Sequence, residues 1–316
     1  MKNTYLAPFF LNLALLFLSM GDLHGANSKF DIEAGYRQDH FVWELGGQEG
    51  GPPVLSRLSW KDLRIFDVAA SFKKIDCRNV YYRVWGDYGR IFHGKNRDSD
   101  YRVNQGRIEE YSRFDNNGGK GDVWDITGGF GYFLRTDICA LRIVPLLGYS
   151  AHEQNLHMYD GYLSQMLDIP NFPGHHFNKL HSTYRARWYG PWSGVDMYYH
   201  CTDRISLVSY LEYHWLRYRA RGHWNLRDDF AGSFHHTGDG QGILGTLGID
   251  YNFLNGCYLG VRGSYNYFFV TKGRDRTPVY VMPSEGSDPI IMVFEGELKK
   301  VKWHSFSILF NLGYNF

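Results

Sequence analysis

Hydrophobic and polar positions alternate along most of this chain, with a period of two. In the closing segment Val301 to Phe316, Phe306, Ile308, Phe310, Leu312, Tyr314 and Phe316 form one list. Ser305, Ser307, Leu309, Asn311, Gly313 and Asn315 form the other. Successive side chains of a strand point to opposite faces, so this is a strand with an apolar, aromatic face and a mostly small or polar one. The same alternation recurs upstream. Trp124, Ile126, Phe130 and Tyr132 oppose Asp125, Thr127, Gly129 and Gly131, and Ile243, Leu247, Ile249, Tyr251 and Phe253 oppose Thr246, Gly248, Asp250 and Asn252. The pattern predicts ten strands, near 30–45, 54–74, 79–93, 121–134, 138–157, 183–200, 205–224, 241–253, 257–272 and 301–316. Long connections (46–53, 94–120, 158–182, 225–240, 273–300) alternate with short turns, and the long ones carry the Gly, Asp, Asn and Pro clusters of loops. An even number of strands, apolar on one side and joined by alternately long and short connections, predicts an all-β antiparallel transmembrane β-barrel.

Residues 1–26 read as a signal peptide: Lys2, an apolar run from Leu6 to Leu18, then the small residues Gly25 and Ala26. Residues 27–316 then form one barrel domain. No other stretch approaches the roughly 18 consecutive apolar residues of a spanning helix. A chain that crosses lipid without helices must close into a barrel, because open strand edges leave backbone groups unsatisfied there. Mean hydropathy is -0.39, yet aromatic residues make up 17% of the chain, with 24 Tyr, 22 Phe and 9 Trp. Aromatic girdles at the two membrane interfaces account for such a load. A net charge of +1 gives no reason to expect a nucleic-acid partner.

The polar lists place Arg83, Asp87, Asp125, Arg142, Asp196, Glu212, Asp250 and Arg262 inside. These charges either brace the barrel as ion pairs or line a water path. A barrel of about ten strands is close to the size that side chains fill, which favours a plugged lumen or at most a narrow pore. Cys77, Cys139, Cys201 and Cys257 each fall in or beside one short turn, on what would be the periplasmic rim, where oxidising conditions favour disulfides. Cys77–Cys139 and Cys201–Cys257 would join neighbouring turns. Four cysteines allow three connectivities, and crosslinks to other envelope proteins stay open. The spacing suggests no metal site, and the histidine pairs His175-His176 and His235-His236 fall in the outer connections with no ligand assigned.

The closing strand resembles the C-terminal signature of bacterial outer-membrane barrels, which end on an aromatic residue. Leu58-Ser59-Trp60-Lys61, the run Gly94 to Tyr101 and the run Tyr184 to Trp192 resemble segments of the omptin superfamily of ten-stranded surface barrels. Within it, GKNRDSDY, GYSAHEQNLHMYDG, TYRARWYGPWSGVD, RARGHWNLR and KGRDR are similar to the Protochlamydia outer membrane protein family. The resemblance implies a porin-like or structural, non-enzymatic barrel of the outer membrane, with no cofactor beyond lipopolysaccharide as a structural lipid. An adhesin binding a host ligand through the five long connections is the second reading. The third is an omptin-type endopeptidase. Omptins set an Asp pair against an Asp–His couple across the barrel mouth; Asp98 and Asp100 match the first half and His223 the histidine, but Arg221 stands where the second Asp belongs. The resemblance also places Arg187 at a lipopolysaccharide-gripping position. Arg217, Arg219 and Arg221 share a face with Leu207, Leu211, Tyr213 and Trp215, a lipid-facing strip topped by cations that can pair with anionic head groups.

Overall fold

A computed structural model describes residues 27–47, 51–135, 138, 140–254, 256–283 and 288–316. The signal-peptide expectation for 1–26 lies outside them. The strands are β1 (Asn27–Leu45), β2 (Ser56–Ile75), β3 (Val80–Asn104), β4 (Arg107–Asn117), β5 (Gly121–Tyr132), β6 (Leu134–Arg135), β7 (Leu141–Met166), β8 (His175–His200), β9 (Ile205–His223), β10 (Phe234–Leu254), β11 (Cys257–Val281) and β12 (Ile290–Asn315). Among the described residues there is no helix.

Every neighbour is antiparallel. The ring runs β2-β1-β12-β11-β10-β9-β8-β7 and returns through β5 and β4 to β3 and β2. It closes by pairing the first strand with the last, Phe30 opposite Tyr314 and Tyr36 opposite Ile308. β4 and β5 fill the same place between β3 and β7, β4 above and β5 below. Counting them, with the short β6, as one broken stave gives a wall of ten staves. The break falls at Gly118–Gly121, where Gly121 takes φ +132° and an added Cβ would run into the Asn155 carbonyl oxygen.

The strands are longer than the alternation predicts. β3 runs on past residue 93 to Asn104 and pairs there with β4, so the 94–120 connection is mostly sheet. The 158–182 and 273–300 connections likewise fold into the upper parts of β7, β8, β11 and β12. β8 has 26 residues; at about 3.3 Å each and a tilt near 40° it rises about 65 Å, well beyond an apolar band about 25 Å tall. The barrel therefore stands far above the membrane. Outside lipid both wall faces can be polar, the period-two contrast fades, and pairing continues unseen by the pattern.

The apolar band is the lower half, where Phe66, Phe130, Leu147, Leu211, Leu247, Leu259, Phe310 and Leu312 are all exposed on the outer face. Seven of the eight charges expected inside are buried. Arg142 is the exception: it is exposed at the lower mouth, beyond the end of the packed lumen. The lumen has two storeys. In the lower one Arg37 Nη1 lies 2.7 Å from Asp125 and 3.2 Å from Asp87, and Asp125 lies 2.9 Å from His152. Arg83 reaches Asp196 at 2.6 Å and also grips Glu212, which lies 3.0 Å from His214. Lys73 donates to the Tyr210 hydroxyl at 2.7 Å, and Arg262 lies 2.6 Å from Asp250. The charges brace the wall, and a cavity of about 60 Å³ remains among them.

Above this level the inward residues turn apolar. Along β1 the inner face reads Asp31, Glu33, Gly35, Arg37, Asp39, then Phe41 and Trp43. Phe41, Trp60, Tyr184, Trp188, Phe268 and Trp303 are fully buried in one contiguous cluster. Phe41 meets Trp60 at 6.0 Å and Phe268 meets Trp303 at 4.9 Å between ring centres, edge to face. The aromatic excess thus serves an internal plug as well as the outer girdles.

Candidate functional site

Above the plug the barrel mouth opens into a cleft of about 650 Å³, lined by Trp43, Asp98, Asp100, Tyr101, Arg102, Tyr111, Trp224, Arg227, Phe230, Phe234 and Asp275 among others. Asp98 and Asp100 share a face of β3 because they are two apart, and both line the cleft. Asp100 accepts a hydrogen bond from Ser112 Oγ at 3.0 Å. Asp98 is partly exposed as a residue, but its Oδ1 is enclosed and without a hydrogen-bond partner. Burial, with the adjacent Asp100 carboxylate adding to it, pushes the Asp98 carboxyl up to about 8. The pair therefore holds a proton at neutral pH, as like charges in a poorly hydrated wall must. Arg227 faces the pair from the β9–β10 connection, but its guanidinium is occupied by Asp229, at 2.7 and 2.6 Å.

His223 does not join this site. Ala220 and Gly222 turn inward on β9, so Arg217, Arg219, Arg221 and His223 are exposed on the outer wall. The parity that turns Trp215 toward lipid turns His223 outward as well, and the cleft has no imidazole from that position. The histidine below the cleft is His236. Contrary to the connection that the alternation predicts, it lies in β10, with its Nδ1 2.7 Å from the Tyr184 hydroxyl and its Nε2 3.3 Å from Asp275. Trp43 at 5.0 Å and Phe234 at 5.1 Å, between ring centres, pack on it. Burial lowers its pKa despite Asp275, leaving it a neutral, enclosed ring rather than a solvent-facing base. The signal in the sequence was Phe234 and His236 falling in phase with the inward positions of β10. His175 and His176 begin β8 and are exposed.

The predicted lipid-binding arginines do come together, on the outside. Arg187 lies opposite Arg219, and Arg185 opposite Arg221, on the paired strands β8 and β9. All four are exposed. Arg187 pairs with Glu153, which Arg185 approaches at 3.6 Å. Arg217 is 71% exposed, with Asp239 at 3.8 Å, so its charge stays available to solvent. Tyr189, Tyr213 and Trp215 lie on the same two strands at and just below this level. At the other end, Cys77 and Cys201 sit exposed in turns and Cys257 is half-buried at the start of β11, all three as free thiols. The expected Cys201–Cys257 bridge is therefore absent, and Cys77 is unbonded too. Each cysteine keeps to its own turn, and Cys201 turns its thiol toward the Tyr199 carbonyl of its own hairpin. Cys139 lies outside the described residues.

A family model described as Protochlamydia outer membrane protein matches residues 31–316. The chain belongs to that family. It is an outer-membrane β-barrel protein, as the family's name and the barrel itself require. No curated protein matches it. Among solved structures, the outer membrane protease OmpT from Escherichia coli aligns with a TM-score of 0.73 at 14% identity, over 92% of this chain and 97% of that one. This shows the omptin-like fold of the Protochlamydia family member and does not extend to its activity. The translocator domain of the autotransporter NalP from Neisseria meningitidis reaches a TM-score of 0.36 at 12% identity, over 98% of this chain and 96% of that one. A major outer membrane protein from Thermus thermophilus reaches 0.35 at 10%, over 93% and 100%.

Proposed function

We propose that this Protochlamydia-family barrel is a closed, non-enzymatic protein of the outer-membrane surface, structural rather than freely conducting. The observation that carries the reading is the filled lumen. Buried ion pairs occupy its lower storey and fully buried Trp60, Trp188 and Trp303 its upper one. The space left among the ion pairs is about 60 Å³, room for a few waters, and the recess of about 450 Å³ beneath it belongs to the lower mouth. Against catalysis stands the cleft itself: among the described residues Asp98 and Asp100 face no solvent-accessible imidazole, since His223 is outside and His236 is roofed by Trp43 and Phe234.

The reading seats the barrel in lipopolysaccharide through Arg187, Arg217, Arg219 and Arg221. Each cation near an anionic membrane surface contributes about 1 kcal/mol, and the aromatic residues on the same strands suit the interface. The exposed Cys77 and Cys201 suit crosslinks to neighbouring envelope proteins, which periplasmic oxidation would drive. The test is refolded mature protein in lipopolysaccharide-containing bilayers, assayed for ion conductance and for cleavage of a quenched basic peptide. Silence in both assays is expected. Stable conductance steps would overturn the closed lumen, and cleavage lost on Asp98→Ala would overturn the non-enzymatic assignment.

A further inference from the structure

The wall is paired strand to strand through most of its height, and among the described residues the top of β12 is one of the edges left without a partner strand. β1 stops at Leu45, opposite Leu298. Above Glu297, β12 continues upward for seven residues, Ile290 to Gly296, paired only with β11 on its other side, from Val281 opposite Ile290 to Asp275 opposite Gly296. The Gly46 amide donates to the Glu297 carbonyl at 2.8 Å, which fixes the direction of that residue's main chain toward the β1 side. Antiparallel ladders alternate, so Ile291, Val293 and Glu295 point their N–H and C=O groups the same way. Among the described residues nothing accepts or donates there.

The side chains make this edge unusual. Ile290, Ile291, Met292, Val293 and Phe294 are consecutive and 46–60% exposed. Natural edges are blunted by Lys, Pro, bulges or a covering segment, and among the described residues Ile290–Phe294 has none of these. The opposite edge of the same ribbon is covered. Asp229 accepts from the Tyr280 amide at 2.8 Å, and the Ala231 amide donates to Pro278 at 2.9 Å, so an irregular segment already adds itself to β11. Below the apolar run the edge ends in two exposed carboxylates: Glu295, shared with Arg276 at 3.1 Å, and Glu297.

We infer that the β12 edge from Ile290 to Gly296 is a docking strand for an extended segment of another surface protein, apolar at alternate positions and basic at the end that meets Glu295 and Glu297. The backbone groups call for a strand, the exposed aliphatic side chains for apolar neighbours, and the carboxylates for Lys or Arg. Addition of a strand to an open sheet edge takes its affinity from main-chain hydrogen bonds and its specificity from alternate side chains. The inference goes beyond the closed-barrel reading and does not depend on whether the lumen conducts.

The test uses the full barrel in lipid nanodiscs and a fluorescein-labelled peptide, KVTVTVK, with KVTPTVK as its strand-incompetent counterpart. Saturable binding of KVTVTVK alone is expected. Val293→Pro, which removes an open-edge amide, and Ile291→Lys, which adds an edge charge, should each weaken it at least tenfold. Met292→Thr changes an exposed side chain but no open-edge amide, and should change affinity less than threefold. Heat-shifted gel migration confirms that each variant is a folded barrel. Absence of saturable binding at millimolar peptide, or unchanged affinity in Val293→Pro, would overturn the inference. So would Val293→Pro-sensitive dimerisation without peptide, which would give the edge to a second copy, or co-flotation of nanodisc-held protein with phosphatidylcholine vesicles, which would give the tip to lipid.

Discussion

The two storeys of the lumen solve one problem by opposite means. Below, within the lipid-facing band, the interior is charged: Arg37, Arg83, Lys73 and Arg262 are each locked to carboxylates. Above, where the outer wall meets water, the interior is apolar and aromatic. A soluble domain reverses this, with charge outside and carbon within, and the upper storey follows that rule. The lower storey inverts it because its outside is lipid, so polar groups can only turn inward and satisfy one another. The difference teaches that one continuous set of strands is governed by two solvents, and the inner face switches chemistry where the outer face does.

That contrast can be broken from either side. Arg83→Ala should have the largest effect, because it leaves Asp196 and Glu212 buried and uncompensated; breaking such a pair costs about 3–5 kcal/mol. Urea unfolding of the refolded barrel measures it, and a loss under about 1 kcal/mol would mean that water already reaches these groups. In the upper storey, Leu216→Ala should cost about 2–5 kcal/mol, as deletion of buried carbon does in any packed core. Its measured value sharpens the claim that this storey behaves as a soluble core, and a negligible loss would show loose packing there.

A third test concerns the cleft above both storeys. The Asp98 carboxyl, held up at about 8 against an ordinary 3.8, binds its proton more tightly in the folded chain than in the unfolded one. Stability should therefore fall as pH rises from about 4 to about 8. Asp98→Asn removes that dependence. Its thermal midpoint should exceed that of the parent at alkaline pH and match it in acid. An equal gap at both ends would refute the proton-sharing pair.

Much of this was legible in the residues and some was not, for identifiable reasons. The barrel, its ten staves and seven of eight internal charges follow from period-two alternation, which is strongest where one face meets lipid. The upper storey was hidden because Phe41, Trp43, Trp60 and Trp188 look like girdle aromatics when the outer face is no longer apolar. His223 was misassigned by its motif, although its own strand parity, shared with Trp215, already turned it outward. His236 reads as one of a surface pair, though Phe234 stands two residues before it on the same face. Cys201 and Cys257 stay free thiols, each in its own turn, and residue spacing alone does not set which thiols pair.

The broken stave gives the molecule a mechanical independence. β5 completes the membrane ring below, while β4 serves the same gap above, and the chain passes between them through Gly118–Gly121. The length of the upper β3–β4 hairpin is therefore not counted in the closure of the ring in lipid. Residues can be added or removed around Gln105-Gly106, a turn with φ of +47° and +76°, without shifting any pairing beneath. This surface can diversify, or carry a grafted epitope, while the part that must insert and seal keeps its register.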